Sequence, residues 1–276
     1  MNLNPETLVK YTALQARLRA LDSVVVAFSA GVDSTVLLKV AVDVLGAERV
    51  LAVTGRSPSI PEAEQRKAAE LAAAFGVRHE FLDTHEFEDE RYLSNPQDRC
   101  FHCKTEFFTR LTELMRQRGY KTVLSGTNAD DRDDYRPGMK AAEDYRVLSP
   151  LAECGLTKAE IRAIAAELGL SVHDKPAAPC LSSRVPYGER ITPEKLRRIE
   201  AGERFLHEQG FRECRVRHHE NLARIEVPAA QIARFADEKL RVLVEQKFRE
   251  LGFQYVSLDL RGFRSGSLNE ALRVPD

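Results

Sequence analysis

The stretch Val24-Val25-Val26-Ala27-Phe28-Ser29-Ala30-Gly31-Val32-Asp33-Ser34 decides how the rest of the chain is read. A run of apolar, β-branched residues forms a strand, small residues make a turn, and Val36, Leu37, Val40, Ala41 and Val44 then recur at helical spacing. Asp33 and Ser34 fall in the first turn of that helix. Backbone N–H groups in such a turn meet the positive end of a helix dipole, where phosphate binds. Small residues let the backbone approach the anion. No G-K-[ST] follows, so the turn is not a Walker loop. The plain alternative is an ordinary strand–turn–helix corner, which has no need of Ser29, Gly31, Asp33 and Ser34 together.

Outward from this corner the chain alternates. The pattern predicts helix over 5–20, strand over 24–28, helix over 34–45, strand over 50–54 and helix over 61–75. Strand over 77–82, helix over 104–118 and strand over 122–125 follow. Short joins in this order imply an α/β fold with a parallel sheet covered on both faces. Such sheets bind ligands at the carboxyl ends of their strands, here segments 29–34, 54–57, 83–86 and 126–131. A helix over 157–168 closes this part, with Gly169 as its C-cap. Residues 173–188 are rich in Pro and small residues and read as an active-site loop and link. A second unit then opens at Thr192-Pro193, a cap followed by proline at the first helical position. Its pattern is helix 193–208, strands 213–217 and 222–227, helices 229–234 and 238–251, and strand 255–260. That predicts a smaller C-terminal α+β domain over 177–276, after a nucleotide-binding domain over 1–176.

The 276 residues carry a formal net charge of −1, which argues against a dedicated nucleic-acid binder. The balance is uneven: residues 1–179 sum to −4 and residues 180–276 to +3. No stretch approaches the roughly 20 apolar residues of a membrane span. Residues 1–10 are polar and lack the apolar region of a signal peptide, so a cytoplasmic protein is expected. Five cysteines in that setting do not read as a disulfide framework.

Four further motifs carry chemistry. In Ser125-Gly126-Thr127-Asn128-Ala129-Asp130-Asp131, Gly126 permits close approach, and Thr127 and Asn128 can reach a ribose or phosphate oxygen. Asp130 and Asp131 can assist Mg²⁺. Alone this is a capped turn, and it gains weight from ending a strand of the same sheet. Cys100-Phe101-His102-Cys103-Lys104 is a C-x₂-C at the start of a helix, a spacing that suits zinc, iron–sulfur or redox chemistry. The alternative is two incidental thiols. Lys104 can contact phosphate or a carboxylate, or sit on a solvated helix face. In the run from Lys175 to Gly188, Cys180 lies between prolines, near Ser182, Ser183 and Arg184, and is a candidate reactive thiolate. Cys154 and Cys214 lie in ordinary helix and strand patterns and read as bystanders. Arg215 and Arg217 alternate on a strand, so both face one side. Two guanidinium groups on one face make a phosphate site; a charged solvent face is the alternative.

The loop at 29–34 resembles the S-G-G-x-D-S pyrophosphate loop (PP-loop) of the ATP-pyrophosphatase superfamily, which is adenine nucleotide alpha hydrolase-like in fold. Ala30 stands where that family has Gly, so a positive φ there is mildly strained. The superfamily cleaves ATP between the α and β phosphates, and in its pocket the strand end at Val53-Thr54 flanks adenine. From end to end the chain resembles the LarE family of sulfur transferases, which serve nickel-pincer nucleotide cofactor biosynthesis. The match rests on G-T-N-A-D-D, K-P-A-x-x-C-L-x-S-R-x-P-Y-G, R-V-R at 215–217, A-R-I-E-V at 223–227 and the tail Gly262-Phe263-Arg264-Ser265-Gly266-Ser267.

This resemblance implies ATP and Mg²⁺ as cofactors. The substrate it implies is a pyridinium dicarboxylate mononucleotide, with one carboxylate adenylated and then converted to a thiocarboxylate. It implies ATP contacts from Ser29, Ala30, Gly31, Asp33, Ser34, Thr54, Gly126, Thr127 and Asn128. It places Cys180 as the sulfur-bearing thiolate and Lys104 near the reacting groups. Ser183, Arg184, Arg215 and Arg217 then lie about the substrate, with Glu203 and Glu226 near the sulfur donor. Sulfur comes from Cys180 itself, leaving dehydroalanine, or from a sulfide on a [4Fe–4S] cluster held by Cys100, Cys103 and Cys180. A homo-oligomer is the family's habit. Three rival functions share parts of this reading. An amide-forming synthetase of the NAD or GMP synthetase type needs no Cys180. A tRNA thiolase needs a basic surface that a charge of −1 does not supply. A nucleotide-sensing or metal-binding module has no need of a complete PP-loop.

Overall fold

A computed structural model describes residues 2–133, 137–264 and 266–272. The chain divides into two units, one of residues 1–92 and 97–178, the other of residues 93–96 and 179–276.

The first unit is built on four parallel strands, β1 (Val24–Ala27), β2 (Val50–Arg56), β3 (Arg78–Asp83) and β4 (Thr122–Ser125), in the order β3-β2-β1-β4. Val24 pairs with Val50 on one side and Thr122 on the other, so β1 is central. Its three valines are fully buried, as a strand covered on both faces requires. One face packs against α1 (Pro5–Arg19), α2 (Val32–Leu45) and α3 (Glu62–Ala74). The other face carries α5 (Arg99–Gln117), which follows the short α4 (Glu90–Leu93) in the chain; its Phe108 and Leu111 join Val25, Leu51, Val53 and Val123. The set closes with α6 (Pro137–Asp144), α7 (Pro150–Glu153) and α8 (Lys158–Glu167). Thr157 and Glu160 form a reciprocal capping box at the start of α8.

The second unit has α9 (Pro193–Glu208), β5 (Arg215–His219), β6 (Leu222–Glu226), α10 (Glu238–Glu250) and β7 (Tyr255–Leu258). Its sheet order is β5-β6-β7, antiparallel in the first pair and parallel in the second. The α/β class with a smaller α+β unit is as the pattern predicts.

Several elements differ from their patterns. α5 begins at Arg99 rather than 104, because Phe101 already packs on the core shared with Phe108 and Leu111. Residues 229–236 form a 3₁₀ helix rather than an α-helix, confined between Pro228 and the Asp237 cap of α10. β5 starts and ends two residues later than its pattern. Residues 93–96 join the second unit, a placement no local pattern marks: the Asn95 side chain donates to the carbonyls of Val185 (3.2 Å) and Pro186 (2.6 Å).

Candidate functional site

At the carboxyl end of β1 the loop 29–34 turns into α2 with no side chain capping the helix. Its first-turn N–H groups are thus not supplied with an internal side-chain acceptor, the condition an anion site needs. The two serine hydroxyls lie 3.1 Å apart, the Ser29 N–H reaches Ser34 Oγ at 3.3 Å, and the Ser34 hydroxyl donates to the Gly31 carbonyl at 3.2 Å. Ala30 is fully buried at φ 55°, the left-handed conformation that favours glycine.

The segment after β4 lies directly on this loop. A Cβ on Gly126 would stand 2.9 Å from the Ser34 backbone nitrogen, so only glycine allows the approach. Asn128, buried, donates to Asp33 Oδ1 at 3.4 Å and exchanges hydrogen bonds with Asp131. Lys158, at the start of α8, pairs with Asp33, and its backbone N–H is accepted by Asp130 at 2.8 Å. Thr127 bonds Ser125 at 2.9 Å and its carbonyl accepts from Ala152. This arrangement, with an uncapped helix end, a carboxylate beside it and a close glycine turn, fits a nucleotide triphosphate and its Mg²⁺. The Thr54 hydroxyl is otherwise engaged: it donates to the Phe28 carbonyl at 2.8 Å and meets His79 Nε2 at 2.9 Å. Thr54 can therefore contribute its place at the strand end but not a free hydroxyl. Sequence reasoning gave no role to Lys158 or to Lys175, which reaches the Ala30 carbonyl at 3.1 Å.

Cys100, Cys103 and Lys104 lie in the first part of α5, all half-buried. That end of the helix sits at the carboxyl edge of the sheet: Phe107 packs over Gly55 at the end of β2, and Glu106 accepts from the His85 N–H after β3 at 2.9 Å. The i, i+3 spacing sets both thiols on one helix face. Among the described residues no group of three or more His, Cys, Asp or Glu is placed to hold a metal ion. The two thiols share a helix face without a third ligand gathered beside them among the described residues, and the third expected ligand, Cys180, belongs to the second unit.

In that second unit buried charge gathers around Cys180. Arg184 forms a bidentate pair with Glu203, both bonds 2.9 Å, and its remaining N–H groups reach the carbonyls of Pro179 and Cys180 and the Ser183 hydroxyl. Burial works against the Arg184 charge, but Glu203 outweighs it and holds the guanidinium protonated. Arg217 forms the matching pair with Glu226 at 3.0 and 2.8 Å and also donates to the Ser183 carbonyl and the Ser267 hydroxyl. Cys180, half-exposed, is held through its carbonyl by Arg184 and Ser183. Arg215 donates to the Cys214 carbonyl at 2.6 Å and stands 4.9 Å from the Phe263 ring. Gly262, at φ 72°, lets the tail pass over β6, where a Cβ would lie 2.7 Å from the Val227 carbonyl; Ser265 of the tail motif lies outside the described residues.

Glu203 and Glu226 accordingly serve as anchors for guanidinium groups. Alternation in the sequence finds the arginines, but not these partners on α9 and β6. Burial, reinforced by the Glu203 charge, pushes the Cys214 thiol up to about 12, which leaves it inert at neutral pH.

A family model described as NAD synthase matches residues 6–104. An uncharacterised protein of Synechocystis sp. is 46% identical over 252 residues, 91% of this chain and 94% of that protein. The pyridinium-3,5-bisthiocarboxylic acid mononucleotide synthase of Lactiplantibacillus plantarum is 40% identical over 263 residues, 95% of each chain. An uncharacterised protein of Methanocaldococcus jannaschii is 30% identical over 88% of this chain and 91% of its own.

Proposed function

The chain belongs to the LarE family, that of the Lactiplantibacillus plantarum pyridinium-3,5-bisthiocarboxylic acid mononucleotide synthase, and we propose that it is an ATP-dependent sulfur transferase of nickel-pincer nucleotide biosynthesis. It adenylates a carboxylate of pyridinium-3,5-biscarboxylate mononucleotide and converts it to a thiocarboxylate. The observation that carries this reading is that the likeness to that synthase runs across both units, over 95% of each chain, rather than over the ATP-binding part alone.

Residues 29–34, with Gly126, Thr127 and Asn128, receive the triphosphate. Asp33 orients the metal, and Mg²⁺ supplies neutralisation of the pyrophosphate that leaves. A substrate carboxylate oxygen attacks the α phosphorus, pyrophosphate departs, and Lys104 steadies the charge that develops. The Cys180 thiolate then attacks the acyl carbon of the mixed anhydride and displaces AMP, forming a thioester. Loss of the Cys180 α-proton drives cleavage of the Cβ–S bond, which leaves dehydroalanine in the chain and a thiocarboxylate on the product. Arg184 and Ser183, both bonded to the Cys180 carbonyl, support an ordered position for this thiol. Arg215 and Arg217 take the substrate phosphate.

A second sulfur source is favoured by the placement of Cys100 and Cys103 on one helix face. Cys100, Cys103 and Cys180 would hold a [4Fe–4S] cluster on this route, and the cluster would supply sulfide in place of the Cys180 sulfur. All five cysteines are free, in keeping with a reducing cytoplasmic setting, and among the described residues no helix is long and apolar enough to cross a membrane. Homo-oligomerisation is part of the same proposal, and size-exclusion chromatography tests it. Incubation of the purified chain with Mg-ATP and the dicarboxylate mononucleotide tests the function. Pyrophosphate, AMP and a thiocarboxylate product are expected, and an amide or an unchanged carboxylate overturns it.

A further inference from the structure

Lys175 has no role in the scheme above, yet its ammonium sits under the phosphate loop. Nζ donates to the Ala30 carbonyl at 3.1 Å and pairs with Glu64 of α3 at 2.5 Å. Its backbone is held as well: Arg162 of α8 donates to the carbonyls of His173 (2.6 Å) and Lys175 (2.7 Å). The lysine is therefore aimed by two helices at one carbonyl. That carbonyl belongs to Ala30, the only residue between Ser23 and Gly46 with a positive φ. The Ala30–Gly31 peptide is gripped at both edges, its oxygen by Lys175 and its N–H by Ser29 Oγ at 3.4 Å. Relaxation of Ala30 from its left-handed conformation to a negative φ would rotate its carbonyl away from Lys175 and turn the Gly31 N–H from its present direction. An L-residue gains energy from that relaxation and a glycine gains little.

We propose that Lys175 is a positioning residue for the ATP reaction: it holds the Ala30–Gly31 peptide in the conformation that opens the loop to phosphate, a task that exists because residue 30 is alanine. The inference rests on the reading of residues 29–34 as the phosphate site. It specifies an energetic coupling between positions 175 and 30.

The test is a double-mutant cycle in the full chain, with Mg-ATP as probe, reading the ATP KM and kcat of pyrophosphate release and ATP affinity by calorimetry. Lys175→Met is expected to raise the ATP KM by roughly five- to thirty-fold, the ratio that corresponds to the strain of one left-handed non-glycine residue. Ala30→Gly alone removes both a buried methyl and the strain of a left-handed alanine, and it supplies the single-variant reference of the cycle. Lys175→Met combined with Ala30→Gly is expected to bring the KM back to within about threefold of the parent, because glycine holds the conformation without help. Lys175→Gln, a milder change that keeps an N–H donor, carries the same cycle should the methionine variant not fold.

A raised KM that Ala30→Gly does not repair means that Lys175 contacts phosphate directly, and this overturns the proposal. A lowered melting temperature with an unchanged KM overturns it too. Asp33→Ala separates this inference from its premise. Continued pyrophosphate release by that variant removes the loop assignment, whereas its loss together with an unrepaired cycle removes only the role of Lys175.

Discussion

Asp33 is engaged before any nucleotide arrives, by Lys158 on one carboxylate oxygen and by Asn128 on the other. These contacts aim it at the end of an uncapped helix, where a phosphate-bound cation would lie. Asp33→Ala should therefore leave the fold intact and lower pyrophosphate release by on the order of a hundredfold or more. A parental rate in a coupled pyrophosphate assay would contradict the assignment. His218 is the opposite kind of residue, with both ring nitrogens buried and without a partner among the described residues. Burial, aided by Lys195 and Arg198, pushes its pKa down to about 4, so the fold accepts only the neutral ring. The unfolded chain takes up the proton near the ordinary value of 6.5. The contribution of this ring to stability is complete above that value and declines as the pH falls toward 4, by about 3 kcal/mol in all. His218→Leu should flatten that decline. Urea unfolding at pH 7.5 and pH 5 should show the variant gaining on the parent at the lower pH, and equal pH dependence in the two proteins would refute the buried-neutral reading.

At the scale of elements, β5 displays how much a pattern can tell. Alternation correctly sets Arg215 and Arg217 on one face of the strand. It is silent on burial, because the partners come from elsewhere in the chain: Glu226 lies on β6, and Glu203 on α9 pairs with Arg184 while also accepting the Val216 N–H at 3.0 Å. Arg217→Ala strips the fully buried Glu226 of its bidentate partner and, among the described residues, leaves it the longer Arg224 contact of 3.4 Å. It should destabilise the second unit by about 3–5 kcal/mol in urea unfolding. Arg215→Ala removes a guanidinium on this face while leaving the Arg217–Glu226 pair in place, so it is the cleaner probe of substrate phosphate. It should weaken mononucleotide binding by about 1.5–3 kcal/mol and leave ATP affinity unchanged in calorimetry. Equal weakening of both ligands would show that the strand serves another purpose. The parallel sheet and the phosphate loop were legible for a local reason: strand, turn and helix cap are encoded within a dozen residues. The early start of α5 was not, since Phe101 earns its helical state by packing against the sheet core. Nor were Lys158 and Lys175, whose contacts with the loop span 125 and 145 residues.

For the whole molecule the open choice is the source of sulfur, and it divides between the two units. The C-x₂-C pair belongs to the first unit with the ATP loop, and Cys180 to the second with the buried arginines. Under the sacrificial route, only Cys180 is needed, and each chain turns over once. Under the cluster route all three thiols are ligands, and the chain turns over as long as sulfide is supplied. Cys180→Ala should abolish thiocarboxylate formation in either case while sparing pyrophosphate release, because adenylation precedes attack by sulfur. Cys100→Ala and Cys103→Ala discriminate. Loss of sulfide-dependent turnover in anaerobically reconstituted protein, together with loss of its iron–sulfur absorbance, is the result the cluster requires. Unchanged single-turnover yield in both variants, with intact-mass spectra showing that one H₂S has left each chain, assigns the sulfur to Cys180. The buried thiol Cys214, raised to about 12, should stay unmodified under either route, so under the sacrificial route peptide mapping after turnover must locate dehydroalanine at 180 and nowhere else.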